Sequence, residues 1–136
     1  MKKILYIGGL VLAILIPVLT LNAQANKIPE NIVLSFKGGN AAELAKFFHS
    51  NVELIILKNE DVYSRTQAEQ IIRKFFLEHK PVSFKIIHEG GSENSRYAIG
   101  SLKTAEQSYR IYILMKKQEE SPLIHQLRIE EEEDVE

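Results

Sequence analysis

His125 lies in "LIHQLRIE" (Leu123 to Glu130), where alternating apolar residues predict a strand. An imidazole set among apolar side chains can stay neutral near pH 7 and serve as a general base or hydrogen-bond donor. Its parity with Leu127 and Ile129 puts it on the apolar face of that strand. His88 ends a second alternating run, Val82, Phe84, Ile86 and His88, on the same face at a strand end, where it would sit at the mouth of any pocket that face lines. Tyr63 in "VYS" and Tyr97 in "RYAIG" are phenols of the kind that stabilise an oxyanion. Glu53 in "NVELIILK" is the sole early-strand carboxylate, and its parity set with Ile55 and Leu57 could face inward. His125 as base with Tyr63 or Tyr97 as donor would suit a lyase or isomerase acting on a hydrophobic substrate. The plainer alternative is that the histidines are bonded core or rim residues and the tyrosines pack. His49 is expected where a helix stops, and there the helix dipole alone accounts for an imidazole.

Other chemistries lack their residues. The chain has no cysteine, which excludes thiolate metal sites, cysteine nucleophiles and disulfides. No two histidines stand three or four apart, so no ready-made zinc site exists, and no Gly-rich phosphate loop or other cofactor motif is present. The predicted strands between Pro81 and Ile129 contain no aspartate to pair with a histidine.

These residues are positioned by a readable order of elements. Ile28, Ile32, Val33 and Phe36 fall at helical spacing, and Gly38-Gly39 ends that helix. Asn40 with Glu43 forms a capping box for a second helix, which carries Leu44, Phe47 and Phe48 and ends at His49 to Asn51. Asn51 to Lys58 reads as a strand, Lys58 to Asp61 as a turn and Val62 to Ser64 as a short return strand. Ser64 with Gln67 opens a third helix with the stripe Ala68, Ile71, Ile72, Phe75 and Phe76, closed before Pro81. Four antiparallel strands follow, separated by turns at Gly90 to Ser95, Ala105 to Gln107 and Gln118 to Pro122. Their apolar face is expected to hold Val82, Phe84, Ile86, Tyr109, Ile111, Ile113, Met115, Leu123, Leu127 and Ile129.

At the N-terminus, Lys2 and Lys3 precede an apolar run from Ile4 to Leu21 and the small-residue site Ala23-Gln24-Ala25. This is the order of a cleaved secretory signal peptide over residues 1–25, so the protein is expected to be exported, periplasmic or secreted, with no stable membrane anchor after cleavage. An uncleaved membrane anchor is the rival reading. The remaining 111 residues suit one domain, placed at 26–130, with a solvated acidic tail at 131–136. Without Lys2 and Lys3 the chain has fifteen basic residues against eighteen acidic ones, a formal charge of −3, which argues against nucleic acid as a partner.

Three helices with a short hairpin, then a long four-stranded meander, make an α+β layout with a curved, mainly antiparallel sheet. This order resembles the nuclear-transport-factor-2-like superfamily, the cone-shaped, cystatin-like roll of ketosteroid isomerase and SnoaL-like cyclases. The phrases "GGNAAELAKFFHSNVELIILKNEDVYSRTQAEQIIRKFF", "SFKIIHEG", "RYAIGSLKT", "SYRIYILMKK" and "LIHQLRIE" resemble an exported bacterial family, domain of unknown function 4783. The superfamily resemblance implies a pocket between the concave sheet face and the helices. Ketosteroid isomerase adds an inward acidic base; the strands between Pro81 and Ile129 put none on the apolar face, which leaves Glu53 as the one early-strand carboxylate that could face inward. The expectation is a non-enzymatic domain binding a small apolar ligand or a protein. Ile87, Tyr112, Leu114 and Ile124, on the opposite sheet face, lead to the expectation of a homodimer.

Overall fold

The structure, a computed structural model, describes residues 27–118 and 121–133, so the expected leader at 1–25 lies outside it. Helix α1 spans Glu30–Gly38, begins after Pro29 and ends where Gly39 turns left-handed at φ 61°. Helix α2 is only Ala41–Ala45. The Asn40 side chain accepts from the Glu43 N–H at 3.1 Å, but the Glu43 carboxylate turns to Lys46 at 2.6 Å, so half of the expected capping box forms. The helix stops short of His49 because tertiary pairing takes its expected last turn. The Ile124 N–H donates to the Phe47 carbonyl at 2.6 Å, and Phe48 opens strand β1, Phe48–Ile56.

Strand β2, Asn59–Ser64, returns after a two-residue turn at Leu57 and Lys58, earlier than the expected turn at Lys58 to Asp61. Helix α3, Arg65–Glu78, starts from the complete Ser64–Gln67 capping box and buries Ala68, Ile72, Phe75 and Phe76. The meander is β3 (Pro81–Gly91), β4 (Ser95–Thr104), β5 (Ser108–Gln118) and β6 (Ser121–Glu131). The sheet order is β2-β1-β6-β5-β4-β3, antiparallel except where β1 meets β6. Helix α1 packs on β3, and α3 packs on β1 and β2. The fold is thus the expected α+β cone.

Two residues placed in the tail make contacts with the sheet. Glu131 belongs to β6, and the Glu132 carboxylate accepts from Arg110 Nη2 and Ser101 Oγ, both at 2.8 Å. The free edge of β2 is guarded locally. The Val62 N–H donates to the Asp61 carboxylate at 2.8 Å and the Ser64 N–H to Gln67 Oε1 at 3.2 Å, which leaves little for an added strand to pair with.

Bulges reset the inward and outward parity of two strands. Between β5 and β6 the register shifts at Leu114/Met115, so His125 is the extra residue. Ile124, Leu127 and Ile129 are therefore buried in the core, while Leu123 and His125 leave the core face. On β3 the register shifts on either side of Val82 and Ile87, and these two extra residues are 69% and 51% exposed. Phe84 and Ile86 keep the expected inward direction; Val82 does not, and His88, paired with Ile99, turns outward.

Phe36 stacks on Phe84 at 4.7 Å and meets Phe76 edge-on at 5.9 Å, which fills the inside of the cone. Gly100 is needed beneath this cluster, since a Cβ there would collide with the Phe84 ring. The interior of the cone is therefore core, and the accessible concavity lies beside it.

Candidate functional site

A surface cleft of ≈ 650 Å³ lies between the β1–β2 hairpin and the C-terminal half of α3. Leu54 and Ile56 of β1, Tyr63 of β2 and Ile71 and Phe75 of α3 supply its apolar lining. These side chains converge because Tyr63 pairs with core-facing Val52, and Ile71 and Phe75 stand one helical turn apart. The rim is mixed in charge, with Lys58 and Lys74 facing Glu60, Asp61 and Glu78. Only Lys74 and Glu78 approach one another, at 3.9 Å.

Leu57 forms one lip of the cleft at φ 56°. A bulky side chain in this left-handed region costs roughly 1–2 kcal/mol, which the hairpin must offset. Its N–H donates to the Ile129 carbonyl at 2.9 Å, which ties the turn to β6, while its side chain is 39% exposed. A two-residue hairpin turn calls for positive φ at such a position.

At the far end, His79 caps α3 through its N–H to the Phe75 carbonyl at 2.8 Å. Its Nδ1 lies 3.0 Å from the hydroxyl of Tyr109, and its ring packs against Phe75 at 4.8 Å. Burial pushes the Tyr109 pKa up, and the nearby Glu131 and Glu106 carboxylates push it the same way, so Tyr109 is a neutral phenol. His79 was not among the residues singled out from sequence. It follows Ile72, Phe75 and Phe76 at seven, four and three residues, and carrying the α3 stripe one turn further finds it.

Of the residues singled out from sequence, Tyr63 alone lines this cleft. His88 and Tyr97 are instead together on the outer sheet face, bonded at 3.0 Å between Nε2 and the phenol oxygen. Glu53 is also outward, because Val52 and Leu54 take the core positions; it accepts from Gln126 Nε2 at 3.1 Å. His125 is displaced from the core face by the bulge and stacks on His49 at 4.2 Å with 21° between the rings. His49 is thus a strand residue, and no helix end explains it. Among the described residues, His125 Nε2 is buried without a partner. Desolvation lowers the His125 pKa, and the charges of His49 and Lys116 lower it further. Among the described residues, no three acidic, histidine or cysteine side chains are grouped to hold a metal ion.

The family model for DUF4783, a domain of unknown function, matches residues 29–130. A DUF4783 family protein from Bacteroides uniformis ATCC 8492 is 34% identical, with a TM-score of 0.76, over 79% of this chain and 99% of that one. A cystatin-like domain of unknown function from Nostoc punctiforme shares the fold at 10% identity, with a TM-score of 0.62, over 78% of this chain and 74% of that one. An NTF-2-like protein of unknown function from Silicibacter pomeroyi shares it at 13% identity and a TM-score of 0.57, over 76% of this chain and 88% of that one. No curated protein matches the chain. With the family model spanning nearly all of the described domain, the chain belongs to the DUF4783 family.

Proposed function

We propose that this protein is an exported, non-enzymatic binding domain that takes a small, largely apolar ligand in the cleft between the β1–β2 hairpin and α3. The observation that carries this reading is the cleft itself: an apolar lining beside a filled cone, with strained Leu57 on its lip. Export rests on the leader-like N-terminus, with its lysine pair, apolar run and Ala-x-Ala site. The lyase or isomerase alternative has little support, because His125 and Tyr97 both lie on the outer sheet face, away from the cleft that Tyr63 lines, and the Tyr97 hydroxyl is bonded to His88.

Leu57→Asn tests the site without threatening the fold, since asparagine tolerates the left-handed conformation better than leucine. The variant should gain roughly 1 kcal/mol of stability. Its affinity for the neutral apolar probe N-phenyl-1-naphthylamine, measured by fluorescence titration, should fall roughly fivefold as the lip contact is lost. Unchanged probe affinity would remove the cleft from consideration.

The outer sheet face supports a second part of the reading, a homodimer. Ile87 and Tyr97 are exposed there, and Ile99, Tyr112 and Leu114 are half-buried beside them. Ile124 does not contribute, being fully buried in the core. Tyr112→Glu would place a charge at the middle of the face and should convert a dimer to monomer in sedimentation velocity. A wild-type protein that sediments as a monomer at high concentration would rule out this interface.

A further inference from the structure

The buried hydroxyl of Tyr109 has one hydrogen-bond partner among the described residues, His79 Nδ1. A buried phenol O–H left without an acceptor is costly, so Tyr109 donates and Nδ1 accepts. The neutral imidazole then carries its proton on Nε2. That nitrogen has no protein partner among the hydrogen bonds of the described residues, and His79 lines the cleft. Apolar Phe75 and Ile71 lie along the same helix face, so a bound chain would run from them to an N–H donor. The rim bears three carboxylates against two ammonium groups, a balance that does not favour a fully anionic head.

We infer that the cleft selects an amphiphile with a neutral carbonyl head, an amide or ester oxygen received by His79 Nε2–H while the apolar chain lies on Ile71 and Phe75. This rests on the proposed binding role of the cleft and adds its specificity. His79 is the residue that contacts the ligand; Tyr109 is a positioning residue that holds the imidazole in the donating tautomer.

The test compares octanamide, octanoate and the neutral probe N-phenyl-1-naphthylamine on the full chain and on the double variant His79→Phe/Tyr109→Phe. Changing both partners leaves no buried polar group stranded, so the fold should persist. Octanamide should bind the wild type more tightly than octanoate and lose about tenfold in the double variant, several times more than the neutral apolar probe loses. Nitrogen NMR of the wild-type ring should place the His79 proton on Nε2. A probe that fails to bind the wild-type cleft would defeat the binding role itself. If the probe binds but octanamide affinity survives the double variant, or the proton sits on Nδ1, the specificity inference is overturned.

Discussion

Phe36→Ala should lower the stability of the domain by about 3–5 kcal/mol, the range for truncating a fully buried aromatic residue. For a domain of this size, that is a fall in melting temperature of more than about 12 °C. Phe36 is fully buried, stacked on Phe84 and edge-on to Phe76, and these three rings join α1, α3 and β3. Truncation empties the interior of the cone where the helices meet the sheet. Neighbouring rings cannot collapse into the space freely, because Phe84 is already pressed onto Gly100. The functional consequence is direct. A close-packed interior leaves the cleft outside it as the proposed binding site, whereas a loss below about 1 kcal/mol would reveal a slack interior and return the central cone to candidacy as the pocket. Thermal and urea melts of the two proteins decide between these outcomes.

Elements with locally complete signals were legible. Helix α3 has its start written in Ser64 and Gln67, its buried stripe at helical spacing and its stop before Pro81. Strand β5 alternates without interruption, so Tyr109, Ile111, Ile113 and Met115 face the core as expected. The losses are all non-local. Nothing near His125 announces the extra residue on β6, because a bulge is defined by the partner strand, and a one-residue slip turns a side chain to the other face. The same slip at Ile87 moved His88 outward. Helix α2 was read too long because its apolar residues Phe47 and Phe48 suit a helix or a strand equally. Pairing with Ile124, distant in sequence, decided for the strand. The cleft was invisible for a related reason: it arises where a hairpin and a helix meet, and its polar end depends on a 3.0 Å contact between His79 and Tyr109.

His125→Leu should stabilise the protein at neutral pH and do so increasingly as the pH falls. His125 Nε2 is buried without a partner among the described residues, a defect that costs roughly 1–3 kcal/mol and that leucine removes. Some of the gain is offset by the lost stacking on His49, so the net effect at pH 7.5 should be about 1 kcal/mol, or about 4–8 °C. The pH dependence follows from the lowered pKa. In the unfolded chain His125 takes up its proton near the ordinary value of 6.5, whereas desolvation, the charge of His49 and that of Lys116 delay protonation in the folded state. Between those two values the unfolded state binds more protons, so wild-type stability falls as acid is added, and the loss is complete once the pH is below the folded value. Glu132 gives a separate loss at lower pH. Its hydrogen bonds from Arg110 and Ser101 hold its pKa below the ordinary 4.5, so its contribution is present above that value and vanishes beneath it. That second loss is common to both proteins and cancels when the variant is compared with wild type. The difference in melting temperature should therefore widen as the pH falls from about 7.5 through the ordinary histidine range and level off once the pH is below the folded value. Parallel melts across this range would mean that His125 protonates as freely when folded as when unfolded. A variant less stable than wild type at pH 7.5 would mean that Nε2 has a partner whose loss matters.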